Sequence, residues 1–325
     1  MGAGHWRFEH HGAAMKTRAI ASPLSALLVA AISFGLISGC GKAKESPSAK
    51  AGEIAVSPDA GRWAAEKRFA NFDGAHFSRP SEVTNEWMPM RPGMRLTYEG
   101  SSVDDEGKVI SRRMQINVTD LTKMISGVRS VVSWDLDWSE GELVEAELAF
   151  FAQDDSGNVW LMGEYPEEYE GGKLTANPGW VHGIEGAKAG IMMLGRPELG
   201  TPSYSQGWGP AVGYTDRALV DSVGRKTCVP ADCYDDVLVV VEGSAEEINA
   251  EQLKYYARGV GNVRVGWRGA GETEKQARLL TKVEVLDAKG LAEIRAKALE
   301  LEKSAYANSK KMYGLTPPLE RASGR

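Results

Sequence analysis

Two segments that alternate between apolar and polar side chains decide the fold: residues 131–138 read VVSWDLDW and residues 145–151 read EAELAFF. A period of two is typical of a β-strand with one buried face, because successive side chains point to opposite faces of a sheet. Glu140 and Gly141 lie between the segments as a turn signal. The two segments therefore predict a hairpin of antiparallel strands.

The same pattern continues on both sides of this hairpin. Residues 112–118 alternate before it, and further segments alternate after it, with turns rich in Gly, Asp and Asn between them. Short strands joined by such turns predict an antiparallel meander from about residue 94 to residue 287. The fold class is therefore mainly β. The later segments are 218–223, 234–241, 253–257, 263–267 and 279–286.

Helices are predicted at both ends of this body. Residues 59–72 place Trp63, Phe69 and Phe72 among Ala, Lys and Glu, which predicts a short N-terminal helix. After residue 287, apolar residues recur at intervals of three and four among Glu and Lys, which predicts an amphipathic C-terminal helix. We expect its narrow apolar stripe to pack along the body, and a partner helix or a second protomer is the alternative.

Two segments lack a clear period. Residues 178–213 are rich in Gly and Pro, and an irregular segment of this length is commonly functional, so we expect a loop or lid that faces a ligand. The polar end, residues 320–325, is expected to fray.

The N-terminus has the features of an export signal. Lys16 and Arg18 precede an apolar run from about residue 20 to residue 36, as in the charged and apolar regions of a secretory signal. The run ends in LISGC at residues 36–40, which resembles the lipobox of bacterial lipoproteins. That resemblance implies cleavage before Cys40 and its diacylation. A transmembrane helix is less favoured, because Ser and Pro interrupt a run shorter than the roughly 20 apolar residues needed.

These features predict four segments and a location. Residues 1–14 lie ahead of a better start at Met15, and we expect them to be upstream of the translated chain. Gly41, rather than Asp, follows the lipidation site, which resembles lipoproteins sorted to the periplasmic face of an outer membrane where there are two membranes. The segments are an extension and signal peptide (1–39), a lipidated tether (40–60), a β-rich domain (61–287) and a C-terminal helix and tail (288–325).

Two further cysteines, Cys228 and Cys233, enclose the sequence VPAD. Thiols exported to an oxidising compartment usually form disulfides, and Pro230 and Asp232 favour a short turn in which the two side chains meet. Structural zinc needs four N or S ligands and is the weaker alternative. We expect one structural disulfide.

Composition and motifs limit the function. The net charge of −6 argues against a nucleic-acid partner. After cleavage the histidines are His76 and His182, and the sequence has no Gly-x-Ser-x-Gly elbow, phosphate-binding loop or dinucleotide fingerprint. We therefore expect no cofactor and do not favour an enzyme.

Three stretches resemble segments of uncharacterised secreted β proteins and lipoproteins of bacteria: WMPMRPGMRLTYEG (87–100), FAQDDSGNVW (151–160) and YYARGVG (255–261). The resemblance covers about residues 85–286 and implies an antiparallel sheet that curls into a half-barrel, similar to lipoprotein carriers whose concave face holds apolar ligands. It implies no catalytic residues. The methionines in the first stretch and the helix after residue 287 depart from the family.

We therefore expect a lipid-anchored envelope protein that binds an apolar small molecule, a lipid or another envelope component. Aromatic residues either line a concave pocket or belong to the plain core, and we favour the pocket slightly. The candidate ligand-binding residues are Trp134, Trp138, Trp160, Trp180, Met192 and Trp208.

Met88, Met90 and Met94 offer a second hypothesis. Their spacing is that of thioether clusters that bind Cu(I), a soft ion that prefers sulfur. Methionine more often fills irregular apolar gaps, and we favour core packing for these three residues.

Acidic residues suggest a third hypothesis, a cation site or a hydrolase site. Asp135 and Asp137 point to one face of their strand, and paired carboxylates can bind Ca²⁺ or serve as the acid and base of a hydrolase, here with Glu164 and His182. Such residues more often form the solvated face of a half-buried sheet, which we favour.

Overall fold

A computed structural model gives the fold of the chain. The predicted signal, the lipidation site at Cys40 and the tether lie outside the described residues. Within the described part, no helix has the combination of length and apolar character that crossing a bilayer requires. The described residues are 63, 68–104, 106–244 and 249–322.

Sixteen strands of the described residues form one antiparallel sheet, so the predicted mainly β fold is confirmed. Every segment predicted from a period of two lies on a strand, except that residue 286 follows the end of its strand. The strands are β1 (Met94–Val103), β2 (Val109–Ile125), β3 (Val128–Ser139), β4 (Glu142–Gln153), β5 (Val159–Glu170), β6 (Lys173–Ala176), β7 (Trp180–Val181), β8 (Lys188–Met193), β9 (Tyr204–Ser205), β10 (Gly207–Trp208), β11 (Arg217–Val229), β12 (Asp232–Gly243), β13 (Glu251–Ala257), β14 (Gly261–Arg268), β15 (Ala277–Val285) and β16 (Glu320–Arg321).

Consecutive strands mostly lie side by side, as in a meander. The order across the sheet is β10, β8, β5, β4, β3, β2, β1, β15, β14, β13, β12, β11 and β9, with β6 and β7 paired to β5 and β16 paired to β2. β9 and β10 lie at opposite ends of this order, yet Gln206 alone separates them in the chain. Residues 204–208 therefore join the two ends of the open sheet.

The sheet has two apolar faces, because alternate residues of its strands are buried on opposite sides. The face that we call inner gathers Tyr98 of β1, Phe151 of β4 and Val240 of β12 into one cluster. Since these strands lie far apart in the order, the sheet must curve around the cluster. The face that we call outer carries a second cluster, which includes Leu148 and Phe150 of β4.

The C-terminal helix, α1 (Ala288–Asn308), covers the outer face of β2 to β4. It begins after Asp287, whose Oδ1 accepts a hydrogen bond of 2.8 Å from the backbone N–H of Gly290, as an N-cap does. Ala298, Leu301 and other stripe residues are buried against the outer cluster. The prediction that the stripe packs along the body is confirmed.

A buried lysine fixes this helix to the sheet. The Nζ atom of Lys123 on β2 lies 3.2 Å from Oε1 of Glu302 on α1. It donates to the carbonyl oxygen of Pro317 at 2.8 Å and lies 3.9 Å from the ring centroid of Tyr313. The Lys123 side chain is fully buried, and this burial lowers its pKa to about 8.

Three segments differ from the sequence expectations. Residues 68–72 are not helical, and the rest of the predicted N-terminal helix except residue 63, which is also not helical, lies outside the described residues. Residues 178–213 contain four short strands, since pairing with the edges of the sheet satisfies their backbone groups. Glu320 and Arg321 do not fray but pair with β2, where Glu320 forms an ion pair of 2.8 Å with Arg129.

The predicted disulfide is confirmed. Cys228 and Cys233 are directly opposite each other on β11 and β12, and their sulfur atoms are 2.05 Å apart. The bond therefore closes the turn of this hairpin.

Candidate ligand-binding cavity

The inner face contains a cavity of about 90 Å³. Aliphatic residues such as Leu96, Ile116 and Val118 form part of its wall. Thioethers form much of the rest, and methionine side chains adapt readily to ligands of different shape. The methionines that line it among the described residues are Met88, Met90, Met94, Met114 and Met192.

Met88, Pro89 and Met90 line one side of the cavity and belong to a segment before β1, residues 83–90, which makes several contacts with the rest of the chain. The side-chain amide of Asn85 donates to the carbonyl oxygen of Leu194 at 3.1 Å. The backbone N–H of Gly259, in the turn between β13 and β14, donates to the carbonyl oxygen of Glu86 at 2.7 Å. These contacts attach the segment to the residue after β8 and to the turn between β13 and β14, so its methionines have a defined position at the cavity.

Charged groups form the polar part of the lining. The Nζ atom of Lys254 on β13 lies 3.2 Å from Oε2 of Glu242 on β12. The Nε2 atom of Gln206 donates to the other oxygen of this carboxylate at 2.7 Å. Asp216 and Arg278 complete this group, and all five side chains belong to buried residues. The cavity therefore has apolar walls and buried hydrogen-bonding groups.

Burial changes the acidity of these groups. Loss of hydration lowers the pKa of Lys254 well below 10.5, and the nearby Arg278 guanidinium lowers it further, whereas Glu272 raises it. Burial also raises the pKa of Tyr256, another lining residue, well above 10. At neutral pH the tyrosine hydroxyl is therefore protonated, and the lysine holds its proton weakly.

A layer of carboxyl groups lies on the same inner face but outside the cavity lining. Asp135 on β3 is directly opposite Glu147 on β4, and Asp137 is directly opposite Glu145. Asp135 and Asp137 are each 2% exposed. The prediction that these two aspartates share one face is confirmed, but the expectation that this face is solvated is wrong. The curved sheet buries its inner face too.

The surroundings raise the pKa of three of these carboxyls. Burial raises the pKa of Asp135 to about 7, against hydrogen bonds from Ser133 and Asn117 that lower it. Burial raises the pKa of Asp137 to about 6, against the charges of nearby arginines. Burial and the neighbouring carboxyls, Glu164 first among them, raise the pKa of Glu147 well above 4.5. Asp135 is therefore partly protonated near neutral pH, and all three carboxyls hold a proton more tightly than they would in water.

The structure separates the other two residues of the hydrolase hypothesis. Glu164 lies on the inner face, where its Oε1 accepts a hydrogen bond of 3.0 Å from Trp180. His182 contacts Phe72, a residue packed on the outer cluster, with ring centroids 4.2 Å apart. Across the residues that the structure describes, no three His, Cys, Asp or Glu side chains are placed to hold a metal ion.

The predicted tryptophans are dispersed. Trp134 and Trp160 pack with the outer cluster. Trp138 is half-buried beneath the guanidinium of Arg113, 4.8 Å from its ring. Trp208 contacts Phe69 with ring centroids 5.6 Å apart.

Trp180 packs on the inner face behind the cavity. Its ring lies 4.8 Å from that of Tyr214, which lines the cavity. Gly207 and Gly209 allow this close approach, because a Cβ atom at Gly207 would come within 2.7 Å of the Trp180 ring. Of the six candidate ligand-binding residues, Met192 lines the cavity directly.

The sequence interpretation missed Lys254, Glu242 and Arg278. On β13 the alternation places Leu253 and Tyr255 on one face and Lys254 on the other, which suggests that the lysine is exposed. In the structure Lys254 is 5% exposed. No local signal distinguishes these residues from exposed charges, because their proximity depends on the pairing of β12, β13 and their neighbours.

No protein-family model and no curated protein matches the chain. Among solved structures, the chain is similar to a protein from Bacteroides fragilis that is described as exported and as having a YmcC-like fold. The TM-score is 0.34 and the sequence identity is 11%. The match covers 62% of this chain and 99% of the other. The chain is also similar to a protein described as a lipoprotein, from Parabacteroides distasonis, with a TM-score of 0.33 and 10% identity over 62% and 99% of the two chains.

Proposed function

We propose that the chain is a lipid-anchored protein of the cell envelope that binds a small amphiphilic molecule in the cavity of its inner face. The cavity carries this proposal, because one surface combines five thioethers with a buried carboxylate and a buried amine. The apolar part of a ligand would contact the methionines, and its polar part would form hydrogen bonds with Lys254 and Glu242.

The size of the cavity limits the ligand. An apolar protein cavity of about 150 Å³ accommodates benzene. The volume of 90 Å³ is smaller, so a whole lipid does not fit within it. The ligand is a molecule of a few heavy atoms, or the end of a larger one.

Native mass spectrometry of the full chain, purified from membranes in detergent, tests ligand binding. We expect a mass above that of the chain alone, which is lost in Ile116→Phe because the larger side chain fills the cavity. Leu136→Phe is the matched control, since Leu136 is also half-buried but packs on the outer cluster. A clean apo mass for the wild type, or retention of the ligand in Ile116→Phe, would contradict the proposal.

The lipid anchor rests on the sequence LISGC at residues 36–40. Cells that express the chain and are fed labelled palmitate should incorporate label into it, and Cys40→Ala should abolish incorporation. Equal labelling of the two proteins would refute lipidation at Cys40.

Cu(I) is a second candidate ligand, because Met88, Met90 and Met94 all line this cavity. Met114 and Met192 are less available, since their sulfur atoms accept hydrogen bonds from Arg278 and Gln206. Titration of the protein with Cu(I) alone, against a coloured chelator, tests the site. The double variant Met88→Leu/Met90→Leu should lose Cu(I) uptake, and the control Met124→Leu should keep it.

A further inference from the structure

Lys254 is a buried amine that faces a cavity. It lies on β13, where its neighbours across the sheet are Val240 and Val265. Its Nζ atom is 3.2 Å from a carboxylate oxygen of Glu242, and the residue is among those that line the cavity. The amine is thus next to a proton donor or acceptor and within reach of a small molecule that enters.

The surroundings favour the neutral amine. The loss of hydration disfavours the ammonium form, and the buried guanidinium of Arg278 adds repulsion. The carboxylates of Glu242, 3.2 Å from Nζ, and of Glu272 oppose this effect, but the pKa of Lys254 is still well below 10.5. A neutral lysine amine is a nucleophile towards carbonyl carbon. A lysine in water at neutral pH is almost entirely protonated and reacts slowly.

We propose that Lys254 forms an imine with a small aldehyde that enters the cavity. This inference rests on the proposed function, because it assigns the chemical class of the ligand. The methionine wall would hold the alkyl part of the aldehyde and leave its carbonyl carbon at Nζ.

The reaction balances without an oxidant or a reductant. A C=N bond forms between the aldehyde carbon and Nζ, and the aldehyde oxygen leaves as water with both hydrogens of the amine. Glu242, whose Oε2 lies 3.2 Å from Nζ, is placed to carry a proton from the nitrogen to the departing oxygen. The product is an imine whose nitrogen lies beside Glu242, and the total charge of the pair is unchanged, because the aldehyde that enters and the water that leaves are both neutral.

The chain provides an internal control in Lys123. Lys123 is also buried, has a lowered pKa and lies 3.2 Å from a glutamate oxygen. It contacts the ring of Tyr313 on the outer face and does not line the cavity. Burial and pKa alone would make both lysines react, whereas access through the cavity selects Lys254.

Reductive trapping tests the inference on the full chain. The protein is incubated with butanal and sodium cyanoborohydride, digested, and analysed by peptide mass spectrometry. We expect butyl modification of Lys254 at least roughly tenfold above that of Lys123, and a strong decrease in Ile116→Phe. Lys282, whose side chain is 62% exposed, reports the reactivity of a surface lysine.

Binding of butan-1-ol, measured by saturation-transfer NMR, separates the two proposals. Modification of Lys254 no greater than that of Lys123, with butan-1-ol still bound, would overturn imine formation and leave the binding function intact. Absence of both butan-1-ol binding and Lys254 modification would count against both proposals.

Discussion

Replacing Glu147 with methionine should stabilise the protein at neutral pH. Glu147 is 1% exposed, and neither oxygen of its carboxyl group has a hydrogen-bond partner among the described residues. It is directly opposite Asp135, and burial raises its pKa well above 4.5. Methionine has a similar length, adapts to its surroundings and carries no group that requires a partner.

The magnitude follows from the cost of an unsatisfied buried polar group. That cost is about 1–3 kcal/mol for a neutral group and more for a charged one. Glu147 holds its proton more tightly than a carboxyl group in water, so we take the cost of a neutral group and expect Glu147→Met to gain about 1–3 kcal/mol. In a domain of this size each kcal/mol raises Tm by about 2–4 °C.

Guanidinium-chloride denaturation at pH 7, followed by tryptophan fluorescence, measures the change in the free energy of unfolding. Glu142→Met on the same strand is the control, because Glu142 is exposed and a surface substitution should remain within about 0.5 kcal/mol. A loss of stability in Glu147→Met, with the control unchanged, would refute the reasoning. It would mean that the carboxyl group makes a favourable interaction.

Three further predictions concern the pH dependence of stability, the buried Lys123–Glu302 ion pair and the N-cap of α1. Folding raises the pKa of Asp135 from 3.8 to about 7, so the native state binds the proton more tightly than the unfolded state. The resulting stabilisation is complete below pH 4 and is lost as the pH rises towards 7. In Asp135→Asn the free energy of unfolding, measured by denaturation at several pH values, should therefore depend less on pH. Lys123→Ala should cost about 3–5 kcal/mol, because it leaves Glu302 buried without its cation, and Lys289→Ala, at an exposed pair, should cost almost nothing in the same melts. Asp287→Ala should cost about 1 kcal/mol through loss of the N-cap, and Asp287→Asn should restore most of it, as thermal melts can show.

The strands could be predicted from the sequence because each carries a local period of two. In residues 131–138 the pattern also assigned Asp135 and Trp134 to opposite faces correctly. It could not say which face is buried, because α1 covers the face that carries Trp134 and the curve of the sheet buries the face that carries Asp135. When both faces are buried by elements distant in sequence, alternation no longer indicates exposure.

The cavity could be predicted only in part. Met88, Met90 and Met94 were candidates for Cu(I) binding because of their spacing, and core packing was the favoured interpretation. The structure places all three with the inner cluster, and all three also line the cavity. Lys254 and Glu242 were not, because their proximity depends on the register between β12 and β13. Side chains from many strands determine this register, so the sequences of β12 and β13 alone do not show that Lys254 and Glu242 meet.

The position of Gln206 between β9 and β10 has a consequence for the order of folding. Residues 204–205 pair with β11 and residues 207–208 pair with β8, so this short segment finds both partners only after the two arms of the sheet have formed. We therefore expect the contacts of residues 204–208 to form after the folding transition state. Weakening them should accelerate unfolding and leave the folding rate nearly unchanged. The lifetime of the native state, rather than the speed at which it is reached, is what this junction controls.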